Sequence, residues 1–171
     1  MDVYGLDPKQ NDINPDEYKV YLEYSAMEFD DKWKALDKDK ELKSKYWEEE
    51  DLYQNANPGN YFRNNVWWWR PLWNFVCMQC DFMTDEQKSG GQYNDGKLID
   101  QETAAKIGTK LKILLEDGTV SRWEDHITIR NKKLEKSDNK EEKFASSYPF
   151  SKDNVEHFAE FCLQSGGFEI C

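Results

Sequence analysis

Tyr61-Phe62-Arg63-Asn64-Asn65-Val66-Trp67-Trp68-Trp69-Arg70-Pro71-Leu72-Trp73 places four of the chain's seven tryptophans, two arginines and two asparagines within thirteen positions. Tyr61–Trp69 is aromatic and β-branched enough for an extended segment, and Pro71 suits the first turn of a following helix. An aromatic extended segment with helices packed around it makes the fold read as α+β. Leu72, Phe75, Val76, Gln79, Cys80 and Met83 continue one helical face, so a helix is expected over about 71–84. An exposed loop is expected from Ser89-Gly90-Gly91 to about Lys97.

Asp100 is a candidate N-cap for the best amphipathic pattern in the chain: Ala104, Ala105, Ile107, Gly108, Leu111, Leu114 and Leu115, with Gly118 placed as the C′ residue. Residues 119–134 read as a helix, although Ile127-Thr128-Ile129 also suits a strand. Lys132–Lys143 is charge-dense and is expected to be a frayed helix end or mobile loop. Ser151 caps a further helix that carries Val155, Phe158, Ala159 and Cys162, with Phe150 placed to staple against Val155. Gly166-Gly167 ends it. Phe168–Cys171 is then a terminal strand that can pair with Asp2–Leu6, part of an edge strand at residues 1–7.

Upstream of the aromatic segment, Pro15–Gln54 is rich in Glu, Lys, Asp and Leu, with apolar residues spaced at three and four. Two helices are expected there, with Asp30 or Asp31 as a cap between them and Asn57-Pro58-Gly59-Asn60 as the stop. The expected organisation is one domain, 1–171, carrying an acidic helical hairpin at 15–57. Three to five helices would surround the aromatic segment, with a small sheet joining the termini.

The net charge of −11 is uneven: residues 1–57 hold sixteen acids and eight bases, whereas residues 58–171 hold eighteen and fifteen. An acidic chain repels phosphate backbones and anionic lipid, which disfavours direct binding of nucleic acid or membrane surfaces. No apolar run approaches the length of a membrane span and nothing resembles a signal peptide, so a cytoplasmic location is expected. Four cysteines, Cys77, Cys80, Cys162 and Cys171, fit reduced thiols packed as small hydrophobes, with Cys171 the exception. A single CxxC pair with His126 and His157 elsewhere is too little for a zinc site or a catalytic triad. No metal, cofactor or catalytic residue is expected.

The binding candidates are Tyr61, Arg63, Asn64, Asn65, Trp67, Trp68, Trp69 and Arg70. Guanidiniums can clamp phosphate or carboxylate, the amides can read a polar edge, and indoles can stack a planar ring. The competing reading sends alternate tryptophans of an extended segment into the core while the arginines snorkel and the asparagines brace a turn. Three consecutive tryptophans cannot all face one core, so at least one is expected to be exposed or to meet a partner.

Phe62-Arg63-Asn64-Asn65-Val66-Trp67-Trp68-Trp69-Arg70-Pro71-Leu72, together with Met1-Asp2-Val3-Tyr4-Gly5 and the end from Asn154 to Ser165-Gly166-Gly167-Phe168-Glu169-Ile170-Cys171, resembles the signature of an uncharacterised family of phage and bacterial proteins. The resemblance implies a phage-type source, and with it a small acidic protein that counters host defence by gripping a host protein or sequestering a signalling nucleotide. The expected function is therefore non-enzymatic binding of a nucleotide-like or anionic ligand. The alternatives are an acidic inhibitor of a host protein, with a surface that imitates DNA, and an enzyme whose site is not apparent in the sequence.

Overall fold

Asn65 decides how the aromatic segment folds. In the structure, a computed structural model that describes residues 1–11 and 13–171, its side-chain oxygen accepts from the amides of Trp67 (3.0 Å) and Trp68 (3.2 Å). This N-cap satisfies two of the orphan donors at a helix start. Helix therefore begins at Val66 and runs to Gln79, and the extended part is only a short strand, Tyr61–Arg63. The extended reading of Tyr61–Trp69 is thus corrected. The tryptophans follow a helical rotation of about 100° per residue rather than the alternation of a strand. Pro71 lies inside this helix instead of opening it, and it has no N–H to offer the carbonyl of Trp67.

The chain divides into two compact units, Met1–Lys9 with Pro58–Cys171, and Gln10–Asn57. In the first unit, strands β1 (Asp2–Gly5), β2 (Tyr61–Arg63), β3 (Lys97–Ile99) and β4 (Phe168–Ile170) form one antiparallel sheet of order β2-β1-β4-β3. The expected pairing of the two ends is present, with Val3 opposite Ile170, Tyr4 opposite Glu169 and Gly5 opposite Phe168. β1 is nevertheless an interior strand and not an edge, because β2 takes its other side with Val3 opposite Phe62. Phe62, Val3, Ile170, Phe168 and Ile99 are all buried and make one row of the core. Tyr61, Tyr4 and Leu98, at the neighbouring register positions, are less buried, as the period of two requires.

Six helices complete this unit: α4 (Val66–Gln79), α5 (Asp85–Gly90), α6 (Gln101–Glu116), α7 (Thr119–Leu134), α8 (Lys140–Ala145) and α9 (Lys152–Gln164). α6 packs most extensively on α9. Ala104, Ile107 and Leu111 of α6 and Val155, Phe158, Ala159 and Cys162 of α9 are buried, each large apolar side chain contributing about 1.5–3 kcal/mol. Asp100 and Ser151 cap these two helices as expected, accepting from Thr103 N (2.9 Å) and Asn154 N (3.2 Å). Gly118 follows α6 with φ of +76°, a left-handed conformation open to glycine, and the helix expected over 119–134 forms.

Three expectations here are corrected. The charge-dense stretch 132–143 is not a loop throughout, because Asn139 accepts from Glu141 N (2.8 Å) and starts α8. Nor does one helix run over 71–84. α4 stops at Gln79, and Thr84 opens α5 with a capping box in which Thr84 and Gln87 each accept from the other's amide, at 3.1 and 3.0 Å. Ser89 and Gly90 are then the end of α5, so the expected loop starts only at Gly91; it runs to Gly96 with Tyr93, Asn94 and Asp95 exposed. Gly91 is buried, and a Cβ there would lie 2.0 Å from the Trp73 indole.

The second unit holds a 3-10 turn at Pro15–Tyr18 and helices α1 (Lys19–Ser25), α2 (Phe29–Leu36) and α3 (Lys40–Ala56), where two helices were expected. The cap of α3 is Asp39, which accepts from Glu41 N (3.0 Å) and Leu42 N (3.1 Å). Asp30 and Asp31 instead lie in the first turn of α2. The two ends of the unit are tied through Asn57, whose side chain accepts from Asn11 N (2.9 Å) and donates to Tyr53 O (3.0 Å). Among the described residues the fold is α+β and predominantly helical, with nine α-helices rather than three to five. No helix among them is long and apolar enough to cross a membrane.

Candidate functional site

With Asn65 fixing its start, α4 turns Trp69 and Trp73 inward. The two indoles stack at 5.3 Å with planes 12° apart. Their ring nitrogens donate to Gly91 O (2.7 Å) and Lys88 O (2.9 Å), so both large side chains are buried with their polar handles satisfied. The same rotation sends Arg70, Asn74 and Met78, spaced by four, to another side of the helix. There they meet Trp123, Ile127 and Arg130, which share one side of α7, and Ala145 and Tyr148 from the chain after α7. With Pro71 these residues line a groove of about 380 Å³.

Met78, Ile127, Pro71 and Trp123 give the groove an apolar lining, to which Arg70 and Arg130 add two guanidiniums. Arg70 donates from Nη1 to the Tyr148 hydroxyl (3.2 Å). Arg130 donates from Nε and Nη2 to the side-chain oxygen of Asn131 (3.1 and 2.9 Å), and Asn131 donates to the Tyr148 carbonyl (2.9 Å). Among the described residues no carboxylate forms an ion pair with either arginine. That leaves two positive charges of an acidic chain directed by neutral partners only. Tyr148 is steadied by Trp67 (5.0 Å) and Phe144 (5.8 Å).

The eight residues expected to act together are spread over different surroundings. Arg70 lines the groove, and Trp67, 36% exposed, supports it through Tyr148. One tryptophan of the triplet is thus exposed, although helical rotation and not strand alternation exposes it. Trp68 is half-buried and Trp69 fully buried. Asn65 is engaged as the helix cap. Asn64 donates to Met1 O (3.1 Å) and, from its side chain, to Asn154 (3.0 Å). Tyr61 and Arg63 both reach Asp2 on the sheet: the Tyr61 hydroxyl donates to its carboxylate, and Arg63 lies 3.5 Å from it. Burial, followed by the Asp2 hydrogen bond, holds the Tyr61 hydroxyl well above its ordinary range. Trp123, Ile127, Arg130 and Tyr148 were not foreseen. The spacing Trp123, Ile127, Arg130 on a helix was a visible signal, but nothing in the sequence ties that stripe to Arg70.

The thiols are all free. Cys80 and Cys162 are buried, and Cys77 and Cys171 partly so. Burial raises the Cys77 thiol to about 11 and Cys80 to about 12, and lifts Cys162 well above its usual value. His126 and His157 are exposed. No group of three or more His, Cys, Asp or Glu side chains among the described residues is arranged to hold a metal ion.

No protein-family model matches the chain, and neither a curated protein nor a solved structure matches it.

Proposed function

We propose that the protein is a non-enzymatic binder of a small, planar, anionic ligand of the nucleotide class, taken in the groove between α4 and α7. The observation that carries this reading is the pair of guanidiniums, Arg70 and Arg130, which have no carboxylate partner among the described residues and share their groove with an apolar lining that includes Trp123. A guanidinium offers a fork of donors that matches phosphate, and an indole or phenol face accepts a base by stacking, worth about 1–3 kcal/mol. The groove volume is within the usual range for small-ligand sites, about 300–1,000 Å³. In the cytoplasm of a phage-infected host, the setting that the family resemblance implies, such a binder sequesters a signalling nucleotide and so blunts host defence.

Calorimetry with adenosine monophosphate, cyclic mononucleotides and cyclic adenine dinucleotides, with inorganic phosphate as control, tests this. At least one nucleotide should bind the native protein, more tightly than phosphate, and Arg70→Ala should weaken it about tenfold. Absence of binding across the panel would remove the proposal.

A further inference from the structure

The unit formed by residues 10–57 carries fourteen acids and seven bases. Lys43 lies 5.6 Å from the Trp33 ring while paired with Asp37 at 2.7 Å, whereas Lys32 sits on aromatic rings without a carboxylate partner among the described residues. The Lys32 ammonium lies 5.0 Å from the centre of the Trp33 ring, 5.5 Å from Tyr46 and 5.9 Å from Phe29. Among the described residues it forms no ion pair, whereas Lys34 on the same helix pairs with Asp31 at 3.6 Å. The rings are themselves in contact, Trp33 with Phe29 at 6.1 Å and with Tyr46 at 6.2 Å. Glu50 is the carboxylate within electrostatic reach of both Tyr46 and the same ammonium. Several ring faces gathered around one ammonium are a means by which proteins hold alkylammonium groups.

The cluster opens to solvent at Phe29, while Trp33 is half-buried and Tyr46 is buried. Phe29 is 70% exposed, and Trp47, which packs on Trp33 at 5.5 Å, is 44% exposed. An acidic unit also raises the local concentration of cations.

We infer that Phe29, Trp33 and Tyr46 form a lysine-reading site in which Lys32 stands in for the side chain of a basic partner protein. The partner's lysine displaces Lys32 from the rings, and the surrounding acids contribute long-range attraction. This goes beyond the nucleotide groove and does not depend on it.

The test is calorimetric titration of the full-length protein at low salt with a short lysine-containing peptide, and with the same peptide acetylated on its lysines. Lys32→Ala should bind the unmodified peptide about fivefold tighter than the native protein, because the internal competitor that reaches all three rings is gone. Lys34→Ala makes the same change of charge away from the rings and should give a much smaller gain. Adding Phe29→Ala to Lys32→Ala should erase the gain, and Phe29 is exposed enough for its truncation to leave the fold intact by circular dichroism. Equal gains for Lys32→Ala and Lys34→Ala would reduce the effect to bulk charge and overturn the proposal. So would no gain for Lys32→Ala, or equal binding of the acetylated peptide.

Discussion

Arg70 donates from Nη1 to the hydroxyl of Tyr148 at 3.2 Å, and the Tyr148 ring rests on Trp67 at 5.0 Å. Two members of the aromatic segment thus meet on a residue nearly eighty positions away. The contact holds an exposed guanidinium at the rim of the groove without neutralising it, which leaves its charge for an incoming anion.

Arg130→Ala should weaken nucleotide binding about tenfold while shifting the melting temperature very little. Arg130 is exposed and, among the described residues, bonds only Asn131, and surface groups of this kind contribute little to stability. Calorimetry and a thermal melt on the same sample separate the two effects.

Gly91→Ala should destabilise the protein by about 1–3 kcal/mol, the usual cost of overpacking. The added methyl would meet the Trp73 indole at 2.0–2.4 Å, in the place where the Trp69 ring nitrogen bonds the Gly91 carbonyl. Urea unfolding followed by tryptophan fluorescence measures it.

Asn65→Ala should cost about 1 kcal/mol through loss of the α4 cap, and Asn65→Asp should recover most of it. Chemical denaturation of the three proteins at neutral pH provides the comparison.

How much of this was legible in the sequence follows the range of the interactions. Asp100, Ser151 and Gly118 act within a turn of their own helices, and their roles were readable from spacing alone. The pairing of the two ends was readable because β1 and β4 each carry their own apolar pattern. What escaped depended on long-range partners or on a local competitor. Asn65 outbid the β-propensity of Val66 and three tryptophans by capping their amides, and β1 acquired a second partner in β2. In the candidate site, Arg70 was readable as a chemical type, but Trp123, Arg130 and Tyr148 join it only through packing of α7 against the rest of the fold.

Acid should destabilise the protein in a way traceable to two carboxylates. Hydrogen bonds from the backbone and side chain of Thr103 hold Asp100 below its ordinary 3.8, and Lys112, at 2.9 Å, together with Gln164 holds Glu160 below 4.5. Groups whose folded-state pKa is depressed contribute stability that is present above these ordinary values and is lost as pH falls through the lower folded ones. Asp100→Asn keeps a capping side chain but removes the titration. Its unfolding free energy should therefore fall less steeply below about pH 4 than that of the native protein, as urea melts across that range will show.

The central claim, that a planar anion enters beside Trp123 between Arg70 and Arg130, is tested most directly through the indole N–H signals. The seven tryptophans give separate ring N–H resonances in a nitrogen–proton correlation spectrum, and Trp123→Phe identifies the one that matters. Titration with adenosine monophosphate or a cyclic adenine dinucleotide should move the Trp123 signal and leave those of the buried Trp69 and Trp73 in place. A nucleotide that binds while the Trp123 signal stays still, or that moves only Trp33 and Trp47, would contradict the account.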